Sequence, residues 1–99
     1  MVVKILPNDG NAPPGKLADA ELHFTEGPLA GLKLVGFGVW ERRNGNGRNV
    51  TFPARSYTVN GERRTFALLR PSGEGTGPEY LRELVLRAFD DHEKAAGAA

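Results

Sequence analysis

Arginine is the residue type in this sequence that is best suited to binding a charged ligand. The segment from Trp40 to Pro71 holds seven arginines: Arg42, Arg43, Arg48, Arg55, Arg63, Arg64 and Arg70. It holds two acidic residues, Glu41 and Glu62. A guanidinium group can form two parallel hydrogen bonds to one phosphate, which a lysine ammonium cannot do. The segment therefore predicts a local basic surface, on a chain whose formal net charge is only +1.

Two Asn-Gly turns place these arginines beside predicted hairpins. The segments "RNGNGR" (43–48) and "VNGE" (59–62) both separate strand-like runs, and Asn-Gly supplies the positive φ that short hairpin turns need. The first segment could be mistaken for a phosphate-binding loop. It lacks the Lys-Ser/Thr pair of such loops, and a strand rather than a helix follows, so we interpret it as a plain turn. The predicted phosphate ligands are the flanking arginines Arg43, Arg48, Arg55 and Arg64, with Arg48 reaching outwards from the turn.

Other kinds of chemistry find little support in the sequence. The chain has no cysteine, and its two histidines, His23 and His92, fall on different predicted elements, so we expect no metal site and no cofactor. Ser56 and Ser72 lack the G-x-S-x-G setting of a nucleophilic serine. We therefore expect that the protein is not an enzyme and that it has no small-molecule substrate.

The elements that must position the arginines follow from the hydrophobic pattern. Residues 16–25 alternate, which predicts a half-buried strand with Ala18, Ala20, Leu22 and Phe24 on one face. Further strands are predicted at 2–6, 32–40, 49–55 and, as a second hairpin, within 57–69. Pro53 cannot donate to a ladder, which predicts a strand edge or a bulge at that point. Residues 7–15 are rich in proline and glycine and are predicted to be linker-like.

The final element is a helix that starts at Gly77 and Pro78. Its apolar stripe consists of Leu81, Leu84, Val85, Ala88 and Phe89. The tail from 95 to 99 is expected to fray. The pattern predicts one α+β domain over residues 1–99, with an antiparallel sheet of about four to five strands and one C-terminal helix packed on one face.

The strand at 32–40 is apolar on both faces. Alternation places Val35, Phe37 and Val39 on one face and Leu32, Leu34 and Trp40 on the other. A single helix cannot cover both faces of the sheet. Either residues 1–15 or a second subunit must cover the remaining face, which favours a homodimer. Gly36 and Gly38 lie on the Trp40 side, where the missing side chains allow a close approach. No segment has the length of a membrane span, so we expect a cytoplasmic protein without membrane contact.

The order and spacing of several motifs resemble the stage V sporulation protein G (SpoVG) family of bacteria. The resemblance extends over roughly residues 17–92. It rests on the alternating strand "ADAELHF", the apolar strand with its Asn-Gly turn, the element Phe52-Pro53-x-Arg55, the hairpin Gly61-x-Arg63-Arg64 and the helix "LRELVLRAF". It implies a small α+β homodimer that binds DNA and RNA as a regulator, with Arg55 and Arg64 as the best-matched basic residues.

Two hypotheses about function follow. In the first, the protein is a nucleic-acid-binding regulatory homodimer whose arginine-flanked hairpins contact phosphates. In the second, it is a protein-interaction or structural domain, and the arginines only keep exposed strands soluble. The choice between DNA and RNA, the target sequence and the pathway stay open at this point.

Overall fold

The computed structural model describes residues 1–8, 10, 12–42, 45 and 47–97, which form six strands and one helix. They are β1 (Val2–Pro7), β2 (Lys16–His23), β3 (Lys33–Glu41), β4 (Arg48–Thr51), β5 (Ala54–Val59), β6 (Glu62–Ala67) and α1 (Gly77–Gly97). Strands β1 to β4 make an antiparallel sheet in that order, and β5 and β6 pair as a separate antiparallel hairpin. The predicted α+β class is confirmed, although the strands divide between two sheets.

The core lies between the four-stranded sheet and α1. As predicted, Ala18, Ala20 and Leu22 of β2 are buried on one face, and Phe24 packs against the same core. Of the residues predicted to be linker-like, Pro7 still belongs to β1 and pairs with Ala18, while Asp9 and Asn11 lie outside the described residues. Alternation on β2 is a reliable guide because one face of that strand meets the core and the other meets water.

The apolar stripe of α1 faces the sheet as predicted. Val85 and Phe89 are buried, and Leu81 and Leu84 are partly buried against the core. Leu86, which lies off the predicted stripe, also packs there. The helix runs to Gly97, past the predicted start of fraying at 95, while Ala98 and Ala99 lie outside the described residues.

The predicted faces of β3 are wrong at Leu34 and Val35. The ladder between β2 and β3 shifts register between Ala20 and Leu22, opposite Gly36, which has a φ of 109°. Such an irregularity moves the following residues to the opposite faces. Leu34 therefore pairs with Leu22 and packs against the core, and Val35 is 51% exposed.

The outer face of the four-stranded sheet carries a cluster of charged side chains beside the exposed Val2 and Val35. Lys33 Nζ lies 3.3 Å from Glu21 Oε1, and His23 Nε2 lies 3.1 Å from the same oxygen. The hydrogen bond to His23, together with that to Lys33, lowers the pKa of the Glu21 carboxyl. Because these charged groups can face water, this face does not need a second subunit to cover it. The pattern of β3 therefore no longer supports a homodimer.

The indole of Trp40 occupies the space that Gly38 leaves open. Trp40 Nε1 donates a hydrogen bond to Thr51 Oγ1 at 2.9 Å. A Cβ at position 38 would lie 2.8 Å from each of those two atoms. The close approach predicted from the missing side chain is therefore made by the protein's own tryptophan.

We expect Gly38→Ala to destabilise the protein by about 1–3 kcal/mol, because the added methyl overpacks the contact between Trp40 and Thr51. Urea unfolding followed by tryptophan fluorescence measures this loss. Gly73→Ala is the matched control, since its Cβ would meet open space and its backbone is not left-handed. Equal stability of the two variants would contradict the packing described for Trp40.

Candidate nucleic-acid interface

The hairpin of β5 and β6 carries two of the predicted phosphate ligands. Its turn consists of Asn60, with a φ of 52°, and Gly61, with a φ of 81°, the left-handed pair that a two-residue turn requires. Val59 pairs with Glu62 across this turn, so the register places Tyr57 opposite Arg64 and Arg55 opposite Phe66. The sequence-predicted turn thus determines which side chains are neighbours.

The hairpin is exposed over its whole length. Every residue of β5 and of β6 is solvent-exposed, and the two strands form a sheet of their own. The radius of gyration is 15.0 Å, larger than the value of about 13 Å expected for a compact chain of this length. Both faces of the hairpin are therefore accessible to a partner.

Arginine and aromatic side chains share one face of this hairpin. Cross-strand partners lie on the same face of an antiparallel pair, and so do residues two apart on one strand. Arg55 and Tyr57 of β5 and Arg64 and Phe66 of β6 meet both conditions. Tyr57 is 41% exposed and Phe66 is 49% exposed, so their rings are available for contact.

Arg70 joins this face from the loop after β6. Its guanidinium carbon lies 3.9 Å from the centroid of the Phe66 ring, and its Nε donates a hydrogen bond to the Ala67 carbonyl oxygen at 2.8 Å. These two contacts hold the Arg70 guanidinium beside the aromatic ring. We use the name arginine face for the surface made by Arg55, Tyr57, Arg64, Phe66 and Arg70.

Glu62 lies on the same face of the hairpin, two positions before Arg64, and accepts a hydrogen bond from Arg64 Nη2 at 3.1 Å. Both side chains are more than half exposed. Exposed ion pairs contribute about 0–1 kcal/mol, so a phosphate can replace Glu62 at little cost. The arginine face therefore retains a positive charge that an anion can reach.

Arg48 does not reach outwards as predicted. It pairs with Glu41 in the ladder between β3 and β4, on the face that α1 covers. Its Nη2 lies 3.0 Å from Glu93 Oε1, and its guanidinium carbon lies 5.6 Å from the Phe89 ring centroid. The side chain therefore links β4 to the helix. Arg43, the remaining predicted ligand, lies outside the described residues.

Pattern reasoning from the sequence missed Tyr57, Phe66 and Arg70. The first two could have been found, because a two-residue turn at Asn60-Gly61 determines each cross-strand pair by simple counting. Arg70 could not, because an irregular segment brings it back over Phe66 and no periodicity describes such a segment. In the folded hairpin, Phe66 lies opposite Arg55, and Tyr57 lies opposite Arg64.

Comparisons with known proteins give no match: no family model, no curated protein and no solved structure is similar to this chain. No helix in the described part of the chain combines the length and the apolar character needed to cross a membrane.

Proposed function

We propose that the protein binds nucleic acid through the arginine face and acts as a regulator. The observation that carries this proposal is the arrangement on one exposed hairpin face of three arginines and two aromatic rings. Guanidinium groups bind phosphates, and exposed aromatic rings stack on bases, which is how proteins bind nucleic acid strands without reading a sequence. The resemblance to the SpoVG family adds support, since Arg55 and Arg64 are the residues it implicates.

The proposal is tested by fluorescence anisotropy of labelled oligonucleotides at several salt concentrations. Displacement of counterions from phosphates should make log Kobs fall linearly with log salt, with about 0.7 to 0.9 units of slope per contact. Single-stranded and double-stranded DNA and RNA should all be tested. Absence of binding at low salt, or an affinity that salt does not change, would contradict phosphate contact.

We further propose that the protein is a homodimer assembled through the hairpin. An isolated two-stranded hairpin is at best marginally stable in water, and this one packs mainly on itself. The face opposite the arginine face carries Arg63 and otherwise small side chains, which are Ala54, Ser56, Thr58, Thr65 and Ala67. A second copy can pack against that face and leave the arginine face free.

Light scattering should give twice the chain mass of 10.7 kDa. Thr65→Arg places a charge in the proposed contact, so this variant should shift towards the monomer. Thr76→Arg adds the same charge at an exposed position before α1 and should leave the dimer intact. A monomer at high protein concentration, or equal behaviour of the two variants, would contradict assembly through the hairpin.

The alternative function, a protein-interaction domain without nucleic-acid binding, is favoured by one observation. Val59 is 40% exposed and Leu68 is 59% exposed, next to the aromatic rings of the same hairpin. Apolar surface of this kind is typical of protein contacts. Salt separates the two functions, because binding to a protein through apolar groups lacks the steep salt dependence of phosphate contacts.

A further inference from the structure

A pocket lies beside the hairpin, between the segment that follows β4, the loop that follows β6 and the start of α1. Its volume is about 510 Å³, within the range of about 300–1,000 Å³ that is common for ligand sites. Phe52, Leu69 and Leu81 supply apolar walls, and Arg70, Arg82 and Glu74 supply charged groups. The proposed interaction of the arginine face with nucleic acid does not explain this pocket.

Phe52 gives the pocket an aromatic wall in a defined orientation. Its ring meets that of the buried Phe37 edge-to-face, with centroids 5.6 Å apart and an interplanar angle of 71°. The guanidinium carbon of Arg82 lies 6.0 Å from the Phe52 centroid. The core therefore holds the ring on one side, while the pocket exposes it to a ligand next to a cation.

Arg70 connects the pocket to the arginine face. It lines the pocket and also covers the ring of Phe66. A strand whose phosphates lie on Arg55 and Arg64 would therefore meet the pocket at Arg70. Arg70 is therefore the residue that the pocket and the arginine face share.

We infer that this pocket receives one unpaired nucleobase of a strand whose phosphates lie on the arginine face, an inference that rests on the proposed function. A base is flat and aromatic, which suits the ring of Phe52 and the planar guanidinium of Arg82 beside it, and its flanking phosphates suit Arg70. Glu74 accepts hydrogen bonds, which suits the N–H groups of a base and repels a free phosphate or carboxylate. In a duplex the bases are stacked and paired, so the pocket favours single strands.

The test compares three labelled DNA ligands of about 12 nucleotides: a single strand, the same strand with every base replaced by an abasic analogue, and a duplex. The single strand should bind at least about 5-fold more tightly than the abasic strand, the lower end of the range expected for one stacked base. It should also bind more tightly than the duplex. Equal affinity for the natural and abasic strands overturns the inference but leaves phosphate binding in place. No binding of any ligand at low salt overturns the proposed function itself.

Protein variants show whether the base lies in the pocket or on the hairpin. Arg82→Gln and Phe52→Leu should each reduce the ratio of the affinity for the natural strand to the affinity for the abasic strand. Arg87→Gln, exposed on the same helix, and Phe24→Leu, in the core away from the pocket, are the matched controls and should preserve it. Arg82 is exposed, so its variant remains informative even if Phe52→Leu does not fold.

Tyr57→Leu completes the comparison, since it removes an exposed ring from the arginine face. If Tyr57→Leu no longer binds the natural strand more tightly than the abasic strand, while Arg82→Gln still does, bases stack on the hairpin and the inference about the pocket is wrong. If Arg82→Gln binds both strands equally tightly and Tyr57→Leu still prefers the natural strand, the base occupies the pocket.

Discussion

Replacement of Phe89 by alanine should destabilise the protein by about 3–5 kcal/mol. The ring is 6% exposed, and it lies between the sheet core and the guanidinium group of Arg48. Alanine would leave a cavity at the contact between β4 and α1, and Arg48 would lose the ring that it covers. Since small domains are stable by about 5–15 kcal/mol, the loss is a large part of the total. Urea or thermal unfolding followed by circular dichroism measures it.

Tyr80→Ala is the matched control for this variant. Tyr80 is an aromatic residue on the same helix, but it is 58% exposed. Its replacement should change the free energy of unfolding by less than about 0.5 kcal/mol. A loss below about 1 kcal/mol for Phe89→Ala would mean that α1 does not pack on the sheet through the stripe described above.

The second large effect is expected from the double charge reversal Arg55→Glu/Arg64→Glu. Each replacement removes a charged hydrogen-bond donor from the arginine face and puts a carboxylate in its place. We expect affinity to fall by about tenfold or more for each arginine. The loss should be the same for all sequences, and the salt slope should decrease by about one unit per lost contact.

The control for the charge reversal is Lys4→Glu/Arg87→Glu, which changes the net charge equally at exposed positions away from the hairpin. Circular dichroism should show that both variants keep the native fold, because exposed substitutions rarely change stability by more than about 0.5 kcal/mol. A similar loss of affinity in the control would mean that overall charge rather than the arginine face determines binding. If the hairpin variant kept the same affinity and the same salt slope, Arg55 and Arg64 would not contact phosphates and would serve only to keep the hairpin soluble.

Sequence periodicity predicted β2 and α1 correctly for a physical reason. Each has one face against the core, so the alternation of β2 and the stripe through Val85 and Phe89 record which side is buried. The same reasoning was wrong on β3. The irregularity at Gly36 moves Leu34 to the core face, and a pattern of simple alternation cannot predict such a register shift.

The candidate site was predictable only where local rules determine it. The turn at Asn60-Gly61 sets the neighbours of Arg55 and Arg64, and both the turn and its position follow from the sequence. The pairing of Arg48 with Glu93 joins residues 45 positions apart in the chain, so it depends on how the helix packs. The contact of Arg70 with Phe66 depends in the same way on the course of a loop.

The location of the nucleic-acid interface is tested most directly by NMR. Amide chemical shifts of ¹⁵N-labelled protein are followed while a short single-stranded oligonucleotide is added. The proposed function predicts shifts in residues 54–67 and at Arg70, with little change on the outer face of the four-stranded sheet around Glu21 and Lys33. Shifts confined to that outer face or to the C-terminal half of α1, or no shifts at all, would contradict binding through the arginine face.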